Sequence, residues 1–296
     1  MNRFETFDRL RPELIALAYR MLGDFARAQD VLQEAWLRWE RIDTEIESPK
    51  AYLSTVVTRL CLNELGSARA RRELSRSDRL PEPIDLEAGG LDRIEQLDQI
   101  SMAFLVVLQR LSPDERAVLL LHDVFDFEHT EVAQLLGRST ASCRKLLERA
   151  REAVAAGRKK LSASRAEHER LLRAFIAAAA GGDVAELVKL LAPDAVFISD
   201  GGEEGRNIAG FRSLPRPLHG AEQVASFVIA ATKRGASVLE PREHVLNGQP
   251  AVVFWRGDEP FAALLLAVAD GKIQHVYFHA DLARLSHVGP KPQAAS

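Results

Sequence analysis

The sequence predicts a multidomain fold: two all-α domains, the second a helix-turn-helix, followed by an α+β domain. Three observations carry this. Apolar residues recur at three- and four-residue steps through residues 1–72 and again through 98–160, the period of amphipathic helices. Residues 73–97 interrupt that pattern with more acids than bases, two prolines and a Gly-Gly pair. From residue 166 onward, short runs of branched and aromatic residues take over, separated by turn signals.

Composition sets the bounds. A chain of 296 residues, 47% hydrophobic, has material for about two cores or more. Its net charge of −3 excludes a uniformly basic nucleic-acid binder but not a locally basic one. Cys61 and Cys143 lie far apart in apolar helical patterns, which argues against a disulfide framework and for a reducing compartment. The N-terminal "MNRFETFDRLRPEL" has no signal-type apolar core, and the run "FAALLLAVA" is far short of the ~20 residues a membrane span needs. A cytoplasmic protein without a membrane partner is expected.

In order along the chain, "ELIALAYRMLG" is a helix ended by Gly23-Asp24. "DVLQEAWLRWE" is the next, and "AYLSTVVTRLCLNEL" a third with Pro49 in its first turn. The segment 73–97 reads as a linker, extended and solvated near Pro81 and Pro83. Helices resume at "LDQISMAFLVVLQRL", and Ser112 with Glu115 forms a capping box for the one after. Between 166 and about 288, "EHERLLRAFIAAAAGGDVAELVKLLAPD" is a helical hairpin, and Asn247-Gly248 and Asp270-Gly271 mark hairpins of a mostly antiparallel sheet.

The stretch "HTEVAQLLGRSTASCRKLLERAR" carries the first functional signal. On a helical wheel from Thr140, Cys143, Leu146, Leu147, Ala150 and Val154 gather on one side. Ser142, Arg144, Lys145, Arg149 and Arg151 lie opposite, and an isolated charge run of this kind is ordinarily a solvated face. Ala133 and Gly137, four apart, and the apolar Cys143 supply the small contact residue, the turn glycine and the plug that crossing helices need. Ser139 and Thr140 are cap candidates. In that geometry Ser142, Arg144 and Lys145 address base edges, while Arg138, Arg149 and Arg151 hold phosphates. Residues 137–173 hold eleven Lys or Arg against four acids, so the basic charge concentrates here.

The stretch "DFARAQDVLQEAWLRWE" places Asp30, Gln33 and Glu34 on one helical face, away from Val31, Ala35 and the tryptophans. Such a face suits a basic partner helix, or simply water. At this point the chain resembles the bacterial RNA polymerase sigma factors of the extracytoplasmic-function group. The residues are Ala28, Asp30, Gln33, Glu34 and Trp36, then "PKAYLSTVVTRLCLNEL", then "LSPDERAVLLLHDVFDFEHTEVAQLLGRSTASCRKLLERAR". The resemblance implies a region 2 domain at 1–72, an acidic Pro/Gly linker at 73–97 and a region 4 helix-turn-helix at 98–160. It implies that Asp30, Gln33 and Glu34 meet the coiled coil of the polymerase β′ subunit, and that the β flap is a second polymerase contact. Tyr52, Arg59, Asn63 and Arg69 would handle the −10 promoter element. Arg138, Ser139, Thr140, Ser142, Arg144, Lys145 and Arg149 would bind the −35 element.

The domain at 166–288 resembles the SnoaL-like or NTF2-like fold, a curved sheet wrapped by helices around a pocket. A sigma factor with this extension is similar to the SigJ-type subgroup. Of the short patterns usual there, "LPEP" is present as Leu80, Pro81, Glu82 and Pro83, with Arg79 where an aromatic is usual. Asp200, Gly201 and Gly202 are present but are followed by Glu203 and Glu204, and of the C-terminal string only Asp281 remains. These residues are the expected interdomain and regulatory contacts.

Relatives of the fold use pocket acids or histidines as bases, so Asp194, Asp200, His219, His244, His275, Tyr277 and His279 are the candidates here. Strand alternation through "KIQHVYFH" sets His275, Tyr277 and His279 on one face, with Ile273. That face is a pocket lining, an outward polar face or a hydrogen-bonded interior. No catalysis, cofactor or metal is expected, and a regulatory domain with an unidentified small ligand in its pocket is the favoured reading. The alternatives are a ligand-responsive helix-turn-helix regulator that works without polymerase, and an NTF2-like enzyme fused to a DNA-binding unit.

Overall fold

The structure is a computed structural model that describes residues 2–67, 79–86, 101–158, 163–202, 207–208, 211–212, 214–235 and 237–292. The chain divides into two compact units. The first comprises Met1–Ser75, Gly90–Ile100 and Phe104–Gly157; the second comprises Arg76–Gly89, Ser101–Ala103 and Arg158–Ser296.

The first unit is helical: α1 (Arg3–Leu22), α2 (Phe25–Glu40), α3 (Pro49–Gly66), α4 (Met102–Arg110), α5 (Pro113–Asp123), α6 (His129–Leu136) and α7 (Thr140–Arg158). The ends fall where local chemistry puts them. Gly23 closes α1 in the left-handed region at φ 65°, the conformation that favours glycine. Pro49 opens α3 behind the cap Ser48. Ser112 and Glu115 close the expected capping box on α5. Apolar faces of α1–α3 meet around Leu17, Tyr19, Met21, Phe25, Leu53 and Val57, all buried.

Several polar side chains lie inside this unit, among them Thr6, Arg20, Ser54, Thr58 and Arg116. Arg116 on α5 is 2% exposed. Its Nε donates to the Leu108 carbonyl at 2.8 Å, its Nη2 to the Leu111 carbonyl at 3.4 Å, and its Nη1 to the Met21 carbonyl of α1. Burial pushes the guanidinium down to about 10, still charged at neutral pH, and burial pushes the neighbouring Cys61 thiol up. A guanidinium is the side chain whose donors can satisfy three carbonyls at once.

The second unit packs α8 (Arg165–Gly181), α9 (Val184–Leu190) and α10 (Ala221–Gly235) on one face of a six-stranded sheet. Its strands are β1 (Leu191–Asp200), β4 (Leu218–His219), β5 (Glu240–Leu246), β6 (Gln249–Arg256), β7 (Glu259–Ala269) and β8 (Lys272–His279), in the order β4-β1-β8-β7-β6-β5. A separate ladder joins β2 (Asn207–Ile208) to β3 (Phe211–Arg212). β1 runs parallel to β8 and every other pair in the large sheet is antiparallel. The α+β class holds, and the Asn247-Gly248 and Asp270-Gly271 turns join β5 to β6 and β7 to β8 with positive φ at all four residues.

Simple alternation fails at one place. The β7–β8 register steps from Ala267↔His275 to Val268↔Ile273, so Gln274 is an extra residue. Ile273 therefore turns to the helix-covered core with Val276 and Phe278, not to the face of His275, Tyr277 and His279. Replacing Arg116 with alanine removes the donors of three carbonyls in a dry site. It should lower the stability of the first unit by about 3 kcal/mol or more, with Arg116→Lys recovering only part. Urea unfolding measures this, and a loss under about 1 kcal/mol would contradict the buried clasp.

Candidate nucleic-acid and docking interfaces

Helices α6 and α7 form the expected helix-turn-helix. Gly137 leaves α6 at φ 62°, Ser139 Oγ caps α7 by accepting the Ser142 N–H at 3.2 Å, and Cys143 is fully buried as the plug. Arg138, Ser139, Arg144, Lys145 and Arg149 are exposed; Thr140 and Ser142 are half-buried. Three of the cations have partners on α5. Arg138 contacts Asp114, Arg149 Nε lies 3.1 Å from Glu115 Oε1, and Arg151 donates to Asp123 through Nε at 2.9 Å and Nη2 at 2.5 Å. The Ser112 hydroxyl foremost, with Arg149 helping, holds the Glu115 carboxyl below the usual range. Burial alone would raise the Asp123 carboxyl, but hydrogen bonds from Arg151 and His122 outweigh it and lower it.

On α3, Arg59 and Asn63 are exposed, and both line a cleft of about 390 Å³ with Asp114, Leu135, Gly137 and Arg138. Arg59 Nη2 donates to the Leu135 carbonyl at 3.5 Å. Residues assigned to separate promoter elements thus face one cleft. Tyr52 is half-buried, its ring centroid 5.8 Å from that of Trp39, so packing holds it as well. Arg69 lies outside the described residues.

On α2, Val31, Leu32, Ala35 and Trp39 are buried while Asp30, Gln33 and Glu34 are exposed together. Glu34 accepts from Arg38 Nε at 2.8 Å, and Leu37, 39% exposed, lies beside Gln33 and Glu34 on the same side.

The segment around Pro81 and Pro83 corrects the sequence reading: it is extended but not solvated. Leu80, Pro81, Glu82, Pro83 and Ile84 are all buried. The prolines bring no N–H, and three of the remaining donors find acceptors. Leu80 N–H donates to Asp200 Oδ2 at 3.0 Å, Ile84 N–H to Asn247 Oδ1 at 3.2 Å, and Asp85 N–H to the His287 carbonyl at 2.8 Å. From Leu80 to Ile84 an extended chain spans roughly 14 Å, which matches three strand spacings, so this strap crosses from β1 to the β5–β6 turn. Arg284 donates to the Leu80 carbonyl and lies 3.5 Å from Asp200 Oδ2, and His287 Nδ1 meets the buried Glu82 carboxylate at 2.7 Å. Gly202 N–H donates to Asp200 Oδ1 at 3.1 Å, and a Cβ on Gly202 would lie 2.8 Å from Asp281 Cγ. Arg284 and His287 carry no signal in the sequence, and Asn247 reads there only as a turn residue.

The candidate pocket residues do not converge. His219 and His244 sit on β4 and β5, the two sheet edges, about five strand spacings or roughly 24 Å apart. Asp194 is exposed. His275, Tyr277 and His279 lie on the sheet face away from the helices; Tyr277 and His279 are at most 2% exposed and His275 is half-buried, so this is not an outward polar face. The helix-covered face is filled instead by Phe197, Phe227, Phe254 and Phe278. Burial, with the Arg284 charge adding, pushes His279 down to about 3, and its Nε2 has no hydrogen-bond partner among the described residues.

Residues 6–71 match the Sigma-70 region 2 family and residues 101–154 the Sigma-70 region 4 family. The chain is 37% identical over 284 residues to the ECF RNA polymerase sigma factor SigJ of Mycobacterium tuberculosis, covering 90% of this chain and 88% of that one. It is 30% identical over 271 residues to the probable ECF sigma factor SigI of the same species, covering 90% and 89%. The crystal structure of the M. tuberculosis extracytoplasmic function sigma factor SigJ superposes with a TM-score of 0.75 at 30% identity, over 97% of this chain and 100% of that one. Among the described residues no helix is long and apolar enough to cross a membrane.

The buried neutral His279 sets a pH dependence. An unfolded histidine titrates near 6.5, so below that pH the unfolded chain takes up a proton that native His279 refuses. Stability of the second unit should hold above about pH 6.5 and fall toward pH 3, by about 2 kcal/mol between pH 6.5 and 5 from this residue. Hydrogen exchange in β7 and β8 reads it; equal pH slopes in wild type and His279→Gln would contradict it.

Proposed function

The chain belongs to the ECF RNA polymerase sigma factors, so it binds core RNA polymerase and directs promoter-specific initiation, and we propose a division of that work among its surfaces. Sigma factors are not enzymes; the polymerase forms the phosphodiester bonds. The α2 face docks on the coiled coil of the β′ subunit. The observation that carries this reading is the joint exposure of Asp30, Gln33 and Glu34 on a helix whose opposite side is fully buried. Carboxylates and an amide around Leu37 complement a basic helix and steer its approach.

Helix α7 reads the −35 element, with Ser142, Arg144 and Lys145 toward base edges and Arg138, Ser139, Thr140 and Arg149 toward the backbone. Arg59 and Asn63 on α3, with Tyr52 and Arg69, serve the −10 element, where unstacked bases and their phosphates need aromatic and cationic partners. The β flap receives the α4–α7 lobe. The two elements lie about 25 base pairs apart, roughly 85 Å along B-DNA. Promoter engagement therefore separates α3 from α6 and α7, and polymerase binding supplies the free energy.

The C-terminal unit acts in cis. Its hold on the strap, at Leu80 through Asp200 and Arg284, at Glu82 through His287 and at Ile84 through Asn247, shortens the free linker between the two lobes, with Gly201, Gly202 and Asp281 beside Asp200 as further regulatory candidates. A ligand that loosened the strap would lengthen it.

Two outcomes are expected. Asp30→Ala with Glu34→Ala should weaken binding to core polymerase about tenfold or more in a titration while helicity stays unchanged; unaltered affinity would remove the docking assignment. Deleting residues 164–296 should change promoter-dependent transcription with purified core enzyme by about fivefold or more; equal activity would remove the cis-regulatory role.

A further inference from the structure

We infer that α5 supplies internal counterions to the promoter-reading helix: Asp114, Glu115 and Asp123 hold Arg138, Arg149 and Arg151 in the unbound chain and release them to DNA phosphates on binding. The inference rests on α7 as the −35 reader and adds the residues that set its affinity and salt dependence.

The pairing is selective. Every arginine that the wheel and turn assign to phosphates is held by an α5 carboxylate. Arg144 and Lys145, assigned to base edges, are exposed. At about 100° per residue, Lys145 and Glu148 form the crest of α7, opposite the buried Cys143, Leu147 and Ala150, and Arg144 lies to one side near Arg151. Arg149 and Arg151 lie on its two flanks. Helix α5 runs beneath, its N-terminal acids serving Arg138 and one flank and Asp123, about 13 Å further along, serving the other. The guanidinium side chains remain 44%, 65% and 54% exposed for Arg138, Arg149 and Arg151, so a phosphate can reach them without repacking the core.

Exchange has a definite consequence. A phosphate that displaces a carboxylate gains an arginine but leaves an anion beside the DNA, and that anion regains counterions. Fewer ions are then released per contact than the cation count implies, so affinity is low and its salt dependence shallow. The bonds are also geometrically exposed, so their loss is small in the absence of DNA.

The test uses the full chain and a fluorescent mixed-sequence duplex of about 30 base pairs, because phosphate contacts are sequence-independent. Asp114→Asn, Glu115→Gln and Asp123→Asn are titrated singly and together by anisotropy over a range of NaCl concentrations. Each should tighten binding up to about fivefold, the size of a surface ion pair. The combined variant should steepen the slope of log affinity against log salt by up to about 0.9 per freed arginine. Glu152→Gln, which removes the same charge from α7 without breaking any of these pairs, should leave the slope unchanged. Glu115→Gln keeps the cap's acceptor and Asp123→Asn lies at the other helix end, so a folding defect at one site leaves the other readable. Gains no larger than that of Glu152→Gln, or weaker binding, would overturn the inference. If Lys145→Ala weakens binding while the acid variants do nothing, this inference alone fails; if Lys145→Ala is also without effect, the reading of α7 itself fails.

Discussion

Arg116 is the interaction on which the first unit depends. Its donors reach carbonyls at the end of α1 and at two positions at the end of α4, so one side chain fastens the lobe of α1–α3 to the lobe of α4–α7. No shorter or singly pointed cation could span those three acceptors, and in a dry site each acceptor left open costs free energy. Helix α5 is thereby fixed as the floor of the helix-turn-helix, with Leu119, Leu120 and Leu121 in the core and acids at both ends.

That clasp also explains an apparent conflict. Arg59 and Asn63 are proposed for one promoter element and Arg138 for another, yet they share a cleft. A cleft of that size accommodates no duplex. In the free chain the groups proposed to meet DNA are partly satisfied by the Leu135 carbonyl and by α5, and the modest overall charge agrees with the proposal that DNA binding outside the polymerase complex is weak.

The helical lobes were legible because their signals are local. Gly23, the Ser112–Glu115 box, Gly137 and the Asn-Gly and Asp-Gly turns act within a few residues, and each appears as its chemistry requires. The strap was misread because solvation is not local: Pro81 and Pro83 signal a linker, but the acceptors that bury it, Asp200, Asn247 and the His287 carbonyl, lie more than a hundred residues away. The face of Ile273 was misplaced because alternation cannot count an extra residue at Gln274. Glu115 reads in the sequence only as a cap partner, and Asp114 and Asp123 carry no signal there; only the fold brings arginines to them.

The most direct measurement is the distance between probes at Gly66→Cys on α3 and Gln134→Cys on α6, both exposed, with the buried Cys61 and Cys143 left unlabelled. The account requires a short distance in the free chain that lengthens by tens of ångströms, on the scale of the ~85 Å between promoter elements, once core polymerase and promoter DNA are bound. A transcriptionally competent complex in which that distance stayed at its free value would contradict it.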